Sequence, residues 1–339
     1  MPVIQPDHKM RFYIKFFLIA FFLHAAAIAQ DATELFENGK AYMKKGDYAN
    51  ATIAFTKALE SQPGDKNVSK ELALSYYYQG DNNKALAVVK PLLELDNADD
   101  QVYQIAGDIY RALKQQKEAS LIYRRGIVKM PESGLLYNAL GEVMWESNDP
   151  DAIKEWEKGI EEDPAYSKNY YNASKFYFGS SNTVWSILYG EIFLNMEPFS
   201  NKSPEVKDML LESYRKMFGS GMLDKENSKF ESAYLQTMNK QSQIASSGID
   251  PESLTMIRTR FILDWFNENK RPAFKLFDYQ RQLLQEGLFD AYNQWIFGSA
   301  QNLAYFQNWI NAHPEEYAAL TNYQKNRVFR IEPGEYYKK

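Results

Sequence analysis

The chain has 339 residues, 45% of them apolar and 24% charged, enough for a large core and too apolar for disorder. No cysteine occurs, which excludes a disulfide framework, a thiolate nucleophile, Cys-ligated zinc and a cysteine-borne lipid anchor. A net charge of −5 argues against DNA, RNA and anionic lipid as partners, and 24 Tyr and 21 Phe beside 17 Gly and 13 Pro favour helices over turn-rich sheets.

Residues 10 to 29 have the make-up of a secretory signal. Arg11 and Lys15 form a basic start, Phe16 to Leu23 an apolar run, and Ala27-Ile28-Ala29 a small-residue cleavage site. The stretch is short for a membrane span of roughly 20 residues, and His24 interrupts it. The expectation is a chain beginning at Gln30, with Met10 as an alternative start of synthesis, exported to the periplasm or beyond and without stable membrane insertion. Cleavage removes three basic residues and one acidic one, leaving a net charge near −7.

From Asp31 onward the sequence repeats with a period of 34. Gly39, Ala73, Gly107 and Gly141 recur at that interval, as do Tyr42, Tyr76, Tyr110 and Met144. Ala51, Ala85, Ala119 and Ala152 keep step, each followed four residues later by Phe55, Val89, Tyr123 and Trp156. Units end on Pro63, Asn97, Pro131, Pro164 and Pro198, and the one interval of 33 falls at the turn Asn148-Asp149-Pro150. Small residues let two antiparallel helices approach, and the large ones fill the space beside them. Gly46-Asp47 and Gly80-Asp81 mark the inner turns.

These positions resemble the tetratricopeptide repeat family. The resemblance implies an all-α right-handed solenoid of helix-turn-helix units over residues 30–198, four well matched and the fifth degenerate because Gly190 and Phe193 exchange the expected sizes. Helical patterning continues through residues 199–248 and an aromatic-rich segment, 249–339. Leu210, Leu211, Tyr214, Met217 and Phe218 share one face, Asp250-Pro251 starts a further helix, and Gly287 to Ala291 has the form of another repeat turn. Only a short alternation at Val328 to Ile331 reads as strand.

No catalytic set is legible. After signal removal His313 is the only histidine, and its place before Pro314 fits a helix C-cap. Ser213 and Lys216 match Ser-x-x-Lys without its companion motifs and read as an ordinary helix face. Glu161 to Asp163 and Asp96 to Asp100 fall where units join and read as solvated turns, so no metal or other cofactor is expected.

The resemblance further implies that the first helix of each unit lines a concave, partner-binding face. Carried over by position, that face comprises Lys40 and Met43; Lys70, Tyr77 and Tyr78; Asp108 and Arg111; Asn138, Glu142 and Trp145; and Tyr171, Lys175 and Phe178. Phe36, Leu74 and Ile105 stand where a clamp for a peptide carboxylate needs polar groups, which argues against that variant. The expected function is a non-enzymatic scaffold binding another envelope protein or peptide. The alternative is a glycan-binding or glycan-processing protein, in which Tyr292, Trp295, Tyr305, Phe306 and Trp309, interleaved with Asn and Gln, form a surface row that stacks on sugars.

Overall fold

The computed structural model describes residues 31–180, 182–219, 228–268, 273–327 and 329–335. The signal segment 1–29 and its cleavage site lie outside the described residues. The chain divides into two compact units, Met1–Gly126 and Ile127–Lys339. Among the described residues there are helices and turns and no strand.

The first unit contains α1 (31–44), α2 (Tyr48–Ser61), α3 (Lys66–Tyr78), α4 (Asn82–Leu93), α5 (Asp100–Ala112) and most of α6 (Gln116–Lys129). Side-chain oxygens of Asp47, Asp65 and Asp99 cap α2, α3 and α5 by accepting from backbone N–H groups of the first turn. The periodic small residues act as the spacing implies. A methyl group on Gly39 would stand 2.4 Å from the Phe55 ring, and one on Gly107 would stand 2.1 Å from that of Tyr123. In the intervening repeat the pair is Ala73 with Val89, both wholly buried, so a larger first partner meets a smaller second one.

The inner turns are superimposable in bonding. Gly46 N–H donates to Met43 and Asp47 N–H to Tyr42, and the same pair of bonds recurs at Gly80-Asp81, Lys114-Gln115 and Asn148-Asp149. Each first residue lies in the left-handed region, with φ of 74°, 82°, 62° and 59° respectively. Only two of the four are glycine, so Lys114 and Asn148 carry strain that the turn imposes. The lost residue of the fourth repeat lies just after Asn148, where Ala152 N–H reaches Asp149 at 3.2 Å while Ala119 N–H reaches back four residues to Gln115.

The second unit holds α7 (Gly134–Glu146), α8 (Ala152–Glu162), α9 (Ser167–Gly179), α10 (Thr183–Met196), α11 (Ser203–Gly219), α12 (Lys229–Asn239), α13 (Ser242–Ala245), α14 (Pro251–Asn267), α15 (Lys275–Gln285) and α16 (Phe289–Asn293). A π-helical turn, Gln294–Gly298, then leads to α17 (Ser299–Gln301), α18 (Leu303–Ala312) and α19 (Pro314–Asn326). One hydrophobic core runs from Ala152 to Ile331, across positions 198 and 248 where the sequence pattern changes. Gly190 faces Ser174, whose Oγ would be 2.8 Å from an added methyl, so two small residues meet where Gly39, Gly107 and Gly141 each meet a ring. Gly287, at φ 72°, repeats the inner-turn bonding: its N–H donates to Leu284, and that of Leu288 to Leu283. The alternation near the C-terminus is not a strand. Phe329 and Ile331 are buried in the core, while Val328 lies outside the described residues.

Helix α10 is buried on nearly every side and carries a charge there. Glu191 pairs with the Arg258 guanidinium, both about 1% exposed, and also accepts from Gln280 Nε2 at 2.6 Å and from the Tyr292 hydroxyl at 2.9 Å. The guanidinium donates to the Asn293 side chain as well and lies 5.2 Å from the Phe297 ring centre. The same unit buries a further cation. Lys207, 9% exposed, holds its ammonium 4.2 Å over the Trp295 ring, and burial lowers its pKa to about 8.

Candidate functional site

In the first unit most of the polar side chains expected to line a groove are spent on bonds within the chain. Lys70 is buried, its Nζ 2.9 Å from Asp99 Oδ2 and 2.8 Å from Gln101 Oε1, joining α3 to the start of α5. Lys66 reaches the same Asp99 at 3.3 Å and the Asn97 carbonyl at 2.9 Å. Burial pushes the Asp99 carboxyl up, but the Lys70 bond, the Val102 N–H and Lys66 outweigh it and hold the group below the usual carboxylate range. Asp99 is thus a half-buried cap and clasp, not the solvated turn residue expected. Asp108 accepts the Tyr123 hydroxyl at 2.6 Å and Arg111 at 3.2 Å. Burial and the neighbouring Asp108 together push the Tyr123 phenol well up.

Of the first-unit members Tyr78 is exposed, and Lys40 and Tyr77 are half-buried. Lys40 is 3.3 Å from Glu37 and lies 5.3 Å over the Phe36 ring. Tyr78, 53% exposed, stacks on Tyr48 at 5.1 Å and meets half-buried Tyr77 edge-on at 5.3 Å.

The first helices of the second unit repeat the pattern. Asn138 is buried and donates to Glu142 Oε1 at 2.9 Å, while its own side-chain oxygen accepts from Asn172 at 2.9 Å, one period further on. Tyr171 donates to Glu205 at 2.7 Å, Lys175 pairs with the same carboxylate at 2.7 Å, and the Phe178 ring lies 4.0 Å beneath the Lys216 ammonium. Trp145 is the exception. It is 51% exposed, packed by its edge against Phe176 at 5.5 Å and above Trp156 at 6.3 Å.

The row of rings required for sugar stacking is not on the surface. Tyr292, Trp295, Phe306 and Trp309 are all buried, and only Tyr305 is exposed, its hydroxyl bonded to Glu252. The π turn is buried at every residue, Gln294 included, as is Asn293 just before it, and α18 buries Phe306 and Trp309, which removes the surface row that the sugar-binding reading needs. His313 does cap α18, its Nδ1 3.0 Å from the Trp309 carbonyl. Ser213 is buried against Ser186 at 3.0 Å, away from the position of Lys216 over Phe178. No group of three or more His, Asp or Glu among the described residues could hold a metal ion.

Sequence reasoning missed Asp99, Gln101, Asn172 and Glu205 as the partners of first-helix side chains, and it missed Glu191 and Arg258. The repeat spacing was a signal for the first group, since these bonds join residues 29 to 34 positions apart. For Glu191 the signal was a lone charge inside the apolar run Val184 to Leu194.

Residues 15–150 match the model of the EMC2 TPR-like repeat domain. This match and the helix-turn-helix packing make the first part of the chain a tetratricopeptide-type repeat array. Among solved structures, the chain is similar to PilF of Pseudomonas aeruginosa, at 16% identity and a TM-score of 0.47 over 56% of this chain and 85% of that one. A thermophilic TPR protein of Thermus thermophilus, TTC0263, aligns at 16% identity and 0.44 over 55% and 98%. A tetratricopeptide repeat protein of Parabacteroides merdae aligns at 15% identity and 0.42 over 71% and 95%. No curated protein matches the chain.

Proposed function

We propose that the protein is a non-enzymatic interaction scaffold of the cell envelope that takes a segment of another protein on the faces of its first helices. The observation that carries this reading is the exposure of Trp145 in a chain whose other tryptophans are buried. A large ring left half in water on an ordered helix is contact area available at low entropic cost. Tyr78 occupies the next position along the helix in its own repeat and is similarly exposed. The envelope location is supported by the signal-like composition of residues 10 to 29.

A photo-crosslinking residue placed at Tyr78 or Trp145, with Leu121 on a second helix as control, tests the face in the native host. Adducts with one discrete partner are expected from the first two positions. Adducts from Leu121 alone would overturn the assignment. N-terminal sequencing of the captured protein is expected to begin at Gln30, and an intact Met1 or Met10 chain would remove the export reading.

A further inference from the structure

We propose that the groove under residues 329–335 is a further ligand site, filled by the chain's own segment. Its ligand is an extended stretch of a partner protein with an aromatic and an aliphatic residue two apart and a carboxylate beyond them. The segment follows α19 without helix or strand. Phe329 and Ile331 are 5% and 3% exposed, while Arg330 and Glu332 are exposed, which is the alternation of a strand. Yet the segment joins no sheet. Among the described residues its one bond from backbone to backbone stays inside it, Glu335 N–H to the Glu332 carbonyl at 3.0 Å, and Glu332 N–H likewise donates to Glu335 Oε2 at 2.9 Å. Its polar tie to the rest of the unit is Lys275 Nζ on α15, 3.0 Å from Glu335 Oε1.

Two cavities, of about 480 and 750 Å³, each take Phe329, Arg330 and Glu332 as part of their wall. The smaller continues over Pro164 and Met196, at the ends of the fourth and fifth repeats, and the larger over Tyr279 and Tyr323. Phe329 lies edge-on to Tyr279, the ring centres 5.1 Å apart. With the segment lifted away, the two cavities and the places of Phe329 and Ile331 become one trench from the repeat ends to α15 and α19, large enough for a peptide. Holes for alternate side chains are how a protein selects an extended peptide. Here no ladder of backbone bonds adds to the hold, so release exposes two side chains and opens one half-exposed ion pair. A tethered segment competes for its own groove at an effective concentration of about a millimolar, and a partner's segment must overcome that.

A fluorescent peptide of residues 327–336, titrated by anisotropy against the full chain, provides the test. It should bind a Phe329→Ala, Ile331→Ala double variant about tenfold more tightly than wild type, because the chain's own segment no longer competes. Glu335→Gln leaves both apolar anchors and the groove intact and frees Lys275 for the peptide's carboxylate, so it should tighten binding about threefold, the yield of one half-exposed ion pair. The same peptide carrying Phe329→Ser and Ile331→Ser should bind none of the three proteins. Equal affinity of the first peptide for wild type and both variants, or of both peptides for one variant, would overturn the site. So would a lack of binding to Glu335→Gln, which keeps the core whole and folds whether or not the double variant does. Dimerisation of Glu335→Gln on gel filtration without uptake of peptide would give the groove to a second copy and overturn the partner assignment. This site stands apart from the first-helix face, which the crosslinks at Tyr78 and Trp145 test and the peptide does not.

Discussion

Replacing Lys207 by methionine should stabilise the second unit at neutral pH. The ammonium is buried over Trp295 with only the Coulombic pull of Asp208 to offset the loss of water, and its pKa falls to about 8 from the ordinary 10.5. At about 1.4 kcal/mol per tenfold, that gap is a cost of roughly 3 kcal/mol for keeping the charge in the fold. Methionine fills much the same volume without charge but forfeits the contact with the ring, worth about 1 to 2 kcal/mol. The net gain is then about 1 to 2 kcal/mol at pH 7. The folded pKa lies below the unfolded one, so between them the unfolded chain holds more protons and wild-type stability rises with pH. The advantage of Lys207→Met should therefore shrink above pH 8 and be mostly gone by pH 9.5. All six tryptophans lie between residues 145 and 309, so their fluorescence during urea unfolding reports this unit alone. A variant less stable than wild type at pH 7, or a difference equal at both pH values, would refute the reasoning.

Further outcomes follow from the repeats and the buried pair. Gly107→Ala should destabilise the first unit by about 2 kcal/mol through its clash with Tyr123, and adding Tyr123→Val should restore much of that loss by recreating the Ala73 and Val89 pairing; far-UV circular dichroism in urea checks whether the two changes compensate or merely add. Lys114→Gly should raise stability by about 1 kcal/mol by relieving a left-handed residue, measurable in the same assay. Since Asp99 titrates below its ordinary range, its contribution should be full above about pH 4 and lost as pH falls further, and Asp99→Asn should flatten that acid limb. Arg258→Met alone should cost about 3 to 5 kcal/mol by stranding the Glu191 charge, read by tryptophan fluorescence.

The repeat was legible because its chemistry is local: Gly39 and Phe55, or Gly107 and Tyr123, sit 16 residues apart in one hairpin, and nothing beyond the hairpin decides their sizes. The left-handed turn at Lys114 was less so, since lysine gives no hint of it and only the register with Gly46 and Gly80 does. The groove was legible as a set of positions and not as a set of free groups. Whether Lys70 points to a ligand or to Asp99 depends on the next repeat's cap, and sequence alone does not orient a flexible side chain. The pairing of Glu191 with Arg258, 67 residues away, needed the fold itself. The rings between Tyr292 and Trp309 misled because an aromatic row alternating with amides describes a buried helix face as well as a sugar platform.

The clasp at Asp99 gives the first unit a direction in time. Lys66 and Lys70 belong to α3, yet their acceptors, the Asn97 carbonyl, Asp99 and Gln101, lie at the entry to α5. Arg125 on α6 makes a bond of the opposite sense, back to Glu94 at 3.0 Å and to the Leu93 carbonyl at 3.0 Å. A chain emerging from the ribosome with its N-terminus first leaves α3 with two unanswered ammonium groups until some thirty more residues have appeared, whereas α6 arrives to find its acceptors waiting. Each hairpin is thus fastened by its successor, and the nascent array closes from behind, one repeat late, as it lengthens.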